Sequence, residues 1–190
     1  GFGNNFDKDI IEDMNSLGYS LSKIGSDHLQ TMINFPFPAL GMFTIEKDLG
    51  FQIPQMHMSQ GMFRAFAIII HLNVAIRAKN KKLILVDDIG EGLDYERAVK
   101  IIDFLIKKTQ ENDMQLIMTS NDRFVMNKVP LKYWSVIKRT GGIVKVFNQR
   151  NSYERFKRFE YIGLSNFDFF ASDFFDPPLD QDEEEEILDD

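Results

Sequence analysis

Four apolar residues, Leu83 to Val86, are followed directly by two acids, Asp87 and Asp88. An apolar run of this length is typical of a strand covered on both faces, as in a parallel sheet. Ligands of open α/β sheets bind at the carboxyl ends of such strands, where one carboxylate can hold Mg²⁺ and another can orient a water. An ordinary strand that ends in an N-capping aspartate explains the same pattern, so both interpretations stay open.

The surrounding segments alternate between strand and helix patterns. Extended segments at 41–49 and 50–58 precede a helix at 60–79, an amphipathic helix at 95–112, a buried strand at 114–120 and a hairpin at 133–148. Residues 7–33 are predicted to be helical, with a break at "LGYS" and a second helix capped by Ser26 and Asp27. The alternation predicts an α/β fold with a mainly parallel central sheet flanked by helices.

Composition restricts the class of protein further. The 190-residue chain has no cysteine, which fits a reducing compartment, and its first residues show no signal-peptide pattern, so we expect a cytoplasmic location. The most apolar stretch, 65–78, is interrupted by His71, Asn73 and Arg77 and is shorter than the roughly 20 residues that cross a bilayer. It predicts a core helix, with His71 packed inside, and no membrane partner.

Charge is distributed unevenly along the chain. Residues 123–158 carry ten Lys or Arg and one acid, whereas residues 159–190 carry twelve acids and no base. The basic segment, which is interleaved with aromatic residues, is either a nucleic-acid-binding groove or a face neutralised by the protein's own acidic tail. The aromatic residues at 161–175 indicate a segment that docks onto the core, with a partner contact as the alternative.

Two motifs resemble those of ABC-type ATPases. "DDIGEGLD" at 87–94 is similar to the block "DEPTSGLD", and "MSQGMFRA" at 58–65 stands where that family has the signature "LSGGQRQR". The resemblance implies that Asp87 binds Mg²⁺, that Asp88 takes the place of the catalytic glutamate and that Asp94 belongs to the D-loop. It also implies that Ser59, Gln60, Gly61 and Arg64 contact ATP held by a partner subunit. The downstream "TSNDRFVMNKVPLKYW" looks like the soluble AAA family ATPases of the SMC, DNA-repair and phage-defence branch.

The signature-like turn also has a physical explanation. The Ser59 hydroxyl can cap the following helix, and Gly61 leaves backbone N–H groups accessible, which suits a phosphate at a helix N-terminus. A plain N-cap followed by a mildly unfavourable glycine is the alternative for this turn alone.

Three features depart from the ABC-type pattern. Asp88 is one methylene shorter than glutamate, and Asn121 stands where that family has a switch histidine, so it can donate to a γ-phosphate but cannot take a proton. No "GxxxxGK[ST]" motif occurs, so the cradle for the α- and β-phosphates is missing.

We therefore predict a P-loop NTPase-like C-terminal lobe from which the Walker A lobe is absent. Its expected divisions are an N-terminal helical segment at 1–38, the lobe at 39–150, an aromatic extension at 151–175 and a disordered acidic tail at 176–190. The complete protein would bind ATP and Mg²⁺ and hydrolyse ATP as a head-to-tail homodimer, with nucleic acid as a candidate partner. The chain by itself would be inactive. The competing hypothesis is a non-enzymatic, degenerate lobe that binds nucleic acid or protein.

Overall fold

The computed structural model describes residues 4–34, 36–78 and 83–176. The helices are α1 (Asn4–Ser16), α2 (Leu29–Ile33), α3 (Gln60–Ala78), α4 (Tyr95–Glu111), α5 (Arg123–Lys128), α6 (Tyr153–Glu160) and α7 (Asn166–Ala171). The strands are β1 (Leu21–His28), β2 (Leu40–Glu46), β3 (Gln52–Pro54), β4 (Leu83–Val86), β5 (Gln115–Met118), β6 (Ser135–Thr140) and β7 (Ile143–Asn148). The described residues form two compact units, divided between Asn121 and Asp122. Apart from Asp176, the predicted acidic tail lies outside the described residues.

The first unit begins with an antiparallel sheet in the order β1-β2-β3. The helical prediction for residues 7–33 is wrong over Leu21–His28, because this segment pairs with β2. Gly25 stands opposite Phe43, and a Cβ on Gly25 would lie 2.7 Å from the Phe43 ring. The glycine, which has no side chain, therefore accommodates an aromatic ring from the neighbouring strand. The helical spacing of apolar residues, on which the prediction was based, does not reveal this packing role.

Helix α3 forms the core of this unit. By length and hydropathy alone it would suffice to cross a membrane, but eight of its 19 residues, including Phe66, Ile69 and Leu72, are buried against the rest of the unit. Its polar interruptions pair with α1: the Asn73 side-chain amide donates to Asp13 at 2.8 Å, and Arg77 forms an ion pair with Asp9. The prediction of a core helix is confirmed. The prediction that His71 is buried is wrong, because His71 is exposed.

Strands β4 and β5 run parallel, with Leu85 opposite Ile117 and Val86 opposite Met118. One face of this pair turns inward, where Val86 is buried. The other face is open, with Leu83, Leu85 and Ile117 exposed by 44%, 69% and 46%. The prediction that β4 is covered on both faces is therefore wrong for this chain. Among the described residues this is the one parallel pairing, so a mainly parallel central sheet stays a prediction about the complete protein.

The second unit, described over 122–176, packs around aromatic side chains. Its buried cluster consists of Leu131, Val136, Phe156, Phe159, Phe169 and Phe175. The hairpin β6–β7 contributes Val136 on one face, and the aromatic segment contributes Phe169 and Phe175. Lys138 on this hairpin forms ion pairs with Asp173 at 3.3 Å and Asp176 at 2.8 Å. The prediction that the aromatic segment docks onto a core is confirmed within this unit.

Candidate functional site

The two aspartates predicted from the sequence lie immediately after β4, at the carboxyl end of the parallel pair. Asp87 is exposed and Asp88 is half-buried. The Asp88 backbone has φ 44°, in the left-handed region that aspartate visits more readily than most residues. Because the acids directly follow β4, they stand at the edge where parallel strands present ligand-binding groups.

Thr119, the first residue after β5, ties this turn to the neighbouring strand. Its hydroxyl donates to Asp87 Oδ1 at 2.5 Å and accepts from the Asp88 N–H at 2.8 Å. Sequence reasoning missed Thr119. The available signal was its position: the carboxyl ends of two parallel strands meet at one edge, so a hydroxyl after β5 lies near the acids after β4.

Arg64 contacts the same turn from α3. Its Nη2 donates to the backbone carbonyl of Asp87 and, at 2.6 Å, to that of Asp88, while its Nη1 donates to the Glu91 carboxylate at 3.2 Å. The Arg64 side chain is 23% exposed. Its guanidinium therefore stabilises the turn of its own chain. Contact with a partner-held ATP remains a prediction for this residue.

The start of α3 packs against the turn that precedes α4. The Ser59 hydroxyl accepts from the Met62 N–H at 3.2 Å, so the predicted N-cap is present. Gly61 is buried, and a Cβ there would lie 2.2 Å from the Gly92 carbonyl oxygen. Gly92 itself has φ +73°, which a glycine adopts without strain. The signature-like and D-loop-like segments are thus in direct backbone contact.

A cleft of about 330 Å³ opens beside this contact, and its lining includes Tyr19, Ser59, Gly61, Asp94 and Arg97. Asp94 caps α4 by accepting from the Arg97 N–H at 2.9 Å, and it forms an ion pair with the Arg97 side chain. The hydrogen bond from the Arg97 backbone, reinforced by its side chain, holds the pKa of Asp94 below its ordinary value. Burial raises the pKa of Tyr19, whose ring lies against the Arg97 guanidinium.

The remaining predicted residues stand at the margins of these two groups. Gln60 is exposed and lies beside Gly92, with its Cγ 3.1 Å from where a Cβ on Gly92 would be. Asn121 is exposed and follows β5 at the edge that carries the acids. The structure therefore brings Asp87, Asp88, Arg64 and Thr119 together, and gathers Ser59, Gly61 and Asp94 around the cleft. The catalytic and ATP-binding roles of these residues stay predictions.

The strand-end acids fit a magnesium ion that is shared with a nucleotide. Among the described residues no three His, Asp or Glu side chains gather into a self-sufficient metal site. Mg²⁺ characteristically keeps several waters and binds one or two carboxylates together with substrate phosphates. The exposed Asp87 carboxylate, with Asp88 adjacent, supplies a donor set of that kind.

Comparison with known families identifies the class of protein. Residues 4–127 match the family described as "AAA domain, putative AbiEii toxin, Type IV TA system". This match covers most of the chain, and the chain therefore belongs to that family. It begins at residue 4, so the segment at 1–38 is largely part of the family domain. No curated protein matches the chain.

Solved structures show which fold this is. The chain is similar to an Smc head bound to the C-winged helix domain of ScpA, with TM-score 0.54 and 15% identity over 74% of this chain and 41% of that one. An Smc head from Pyrococcus yayanosii gives TM-score 0.54 and 15% identity over 82% and 29%. A structure described under ATP-driven dimerization and DNA stimulated activation of SMC ATPases gives TM-score 0.50 and 14% identity over 82% and 93%. The chain has an α/β fold of the SMC-head type and spans less than half of the first two chains.

Proposed function

We propose that this chain is the C-terminal part of an ATP-binding and ATP-hydrolysing ABC-type ATPase. One observation carries the proposal: Asp87 and Asp88 stand at the carboxyl end of a parallel strand pair and are held there by Arg64 from the helix that begins with Ser59 and Gly61. Membership of an AAA-domain family and the fold of SMC heads support it.

In this proposal the two strand-end acids have different roles, one in metal binding and one in activating water. Asp87 binds Mg²⁺, which neutralises charge on the nucleotide's phosphates when it is bound. Asp88 orients a water for attack and accepts its proton. Because the Asp88 side chain is shorter than glutamate and Asn121 cannot take a proton, we expect slow hydrolysis. Asn121 donates its amide N–H to the γ-phosphate.

The second half of each site comes from a partner subunit in a head-to-tail dimer. The Ser59 oxygen already accepts from the Met62 N–H, so its single proton is left to donate to a phosphate oxygen. Gln60, which is exposed, extends this surface at the positive end of α3, Gly61 lets the helix start approach the neighbouring turn, and Arg64 holds that turn in place. Asp94, beside the cleft, couples the two subunits.

The Walker A lobe would come from an upstream segment or a separate chain. The open face of β4 and β5, formed by Leu83, Leu85 and Ile117, supports this because large apolar side chains on a sheet face gain stability when they are covered. We assign this face to the missing lobe.

The test is steady-state ATP turnover by the complete protein and by its Asp88→Asn variant. The amide preserves shape but cannot accept a proton, so we expect kcat to fall by about 100-fold or more with KM nearly unchanged. A variant with wild-type kcat would remove Asp88 from the reaction. Asp48→Asn is the matched control, since Asp48 is exposed in the turn after β2 and undergoes the same chemical change.

A non-enzymatic lobe that binds nucleic acid is the second candidate. Eight of the ten bases between 123 and 158 are exposed, whereas Lys138 and Arg155 are half-buried and bind the aromatic segment. Filter binding of single-stranded DNA at increasing salt tests it, with Lys157→Gln/Arg158→Gln as the variant and Lys107→Gln as the control. The affinity should fall with salt and in the double variant. Binding that is absent at low salt would discard this function.

A further inference from the structure

Thr119, directly after β5, contacts both strand-end aspartates through its hydroxyl. We propose that it is a positioning residue that holds the Asp87 carboxylate in its metal-binding orientation. This inference rests on the proposed function, because it takes Asp87 to be a ligand of nucleotide-bound Mg²⁺.

The direction of the Thr119 hydroxyl follows from its two hydrogen bonds. A hydroxyl has a single proton and two lone pairs. The Asp88 N–H, at 2.8 Å, can only donate, so it occupies a lone pair of the Thr119 oxygen. The proton then points to Asp87 Oδ1 at 2.5 Å, a length typical of a hydroxyl bound to a carboxylate. The Asp87 side chain is thereby fixed through one of its two oxygens.

The backbone of Thr119 is itself held in place. Its N–H donates to the Val86 carbonyl at 2.9 Å, and its carbonyl accepts from the Ile89 N–H at 3.0 Å. The two bonds join Thr119 to residues three apart, one more than in a regular parallel ladder, so both aspartates lie in a bulge between Val86 and Ile89. A side chain on so well-ordered a backbone can orient its partner without losing much conformational entropy of its own.

The strained turn depends on the same contacts. Asp88 has φ 44°, in the left-handed region that residues with a Cβ adopt less readily than glycine. Its N–H is bound by Thr119 and its carbonyl by Arg64, so both of its backbone polar groups are satisfied in this conformation. Loss of the hydroxyl would therefore loosen the Asp87 side chain and the adjoining peptide together.

Removing the hydroxyl should weaken metal binding more than it weakens folding. Outer contacts that orient a metal ligand change metal affinity by about 10- to 100-fold. Thr119 is exposed, so Thr119→Val leaves no large cavity and the fold should persist. Thr119→Ser keeps the hydroxyl and should retain wild-type affinity. Thr140→Val, at an exposed position that ends β6, is the matched control for the same chemical change.

The experiment measures Mn²⁺ binding to the complete protein with a non-hydrolysable ATP analogue, by electron paramagnetic resonance, and measures nucleotide binding without metal in parallel. We expect Thr119→Val to weaken Mn²⁺ binding about 10-fold, with unchanged metal-free nucleotide binding and wild-type affinity in Thr119→Ser. Wild-type Mn²⁺ affinity in Thr119→Val, or equal weakening in Thr119→Ser, would overturn the inference. Asp87→Ala distinguishes failure of the Thr119 inference from failure of the proposed function. If Asp87→Ala also leaves Mn²⁺ affinity unchanged, Asp87 is not a metal ligand and the proposed function is wrong as well.

Discussion

At the scale of single residues, Gly61 sets how closely α3 can approach the turn before α4. A Cβ at this position would lie 2.2 Å from the Gly92 carbonyl oxygen and 3.0 Å from its carbon, so the backbone would have to move. We expect Gly61→Ala to lower the free energy of unfolding by about 1–3 kcal/mol, the usual cost of overpacking, despite the better helix propensity of alanine. Urea unfolding followed by circular dichroism measures it.

Gly142 provides the matched control for that substitution. A Cβ on Gly142 meets no atom within 4 Å, and the residue is not among the glycines with positive φ. Gly142→Ala should therefore change stability by less than about 0.5 kcal/mol. If Gly61→Ala is as well tolerated as Gly142→Ala, the backbone contact between the signature-like and D-loop-like segments is not as tight as the structure has it.

Only part of the site was predictable residue by residue. The acids after β4 and the Ser59 cap follow from local patterns, since the end of a strand and the start of a helix are each determined by a few adjacent residues. Arg64 was found by its resemblance to a motif, but two of its contacts are with backbone carbonyls 23 and 24 residues away, and carbonyls carry no sequence signal. Thr119 was not predicted because its partners, Asp87 and Asp88, follow the neighbouring strand and are distant in sequence.

At the scale of elements, Asp94 determines where α4 begins. It accepts from the Arg97 N–H, and aspartate and asparagine cap helices about equally well. Asp94→Ala should therefore cost about 1 kcal/mol of unfolding free energy, whereas Asp94→Asn should be nearly neutral, because its exposed ion pair with Arg97 adds little. Equal losses in both variants would show that the charge, not the cap, is what stabilises this end of α4.

The pH dependence of this cap has a definite sign. Hydrogen bonds from Arg97 lower the pKa of Asp94 below its ordinary value of 3.8, so the native state favours the ionised carboxylate. The part of Asp94's stabilisation that depends on the ionised carboxylate is then fully present above pH 3.8 and is lost as the pH falls through the lowered pKa. The stability difference between wild type and Asp94→Ala should be constant near neutral pH and shrink in acid. A difference that grows on acidification would contradict the geometry.

Whole elements were predictable where their burial is one-sided and periodic. The buried residues Ala98, Ile101, Ile102, Leu105 and Thr109 place α4 correctly by helical spacing. Strand β1 was missed because only Leu21 and Ile24 are buried among its eight residues, and its stability comes from pairing with β2. β4 was placed correctly, but burial of both its faces was not, because an apolar run does not reveal whether a covering layer belongs to the same chain.

At the scale of the whole molecule, the chain spans 41% of the Smc head that it resembles, and its sequence has no "GxxxxGK[ST]" motif. The phosphate-cradling loop supplies much of the affinity for nucleotide in such proteins. We therefore expect residues 1–190 alone to show no micromolar, Mg²⁺-dependent ATP binding by titration calorimetry. Tight binding by the chain alone would contradict its assignment as a partial site.

The central claim is that one triphosphate lies between the strand-end acids of one subunit and the Ser59–Gly61 turn of another. Subunit mixing in the complete protein tests it most directly. Ser59→Arg blocks the turn and Asp88→Asn disables the acids, so each variant alone should be inactive, while a mixture should regain ATP turnover, because one site of each mixed dimer is intact. Turnover that stays at the level of the separate variants would contradict a site shared between subunits.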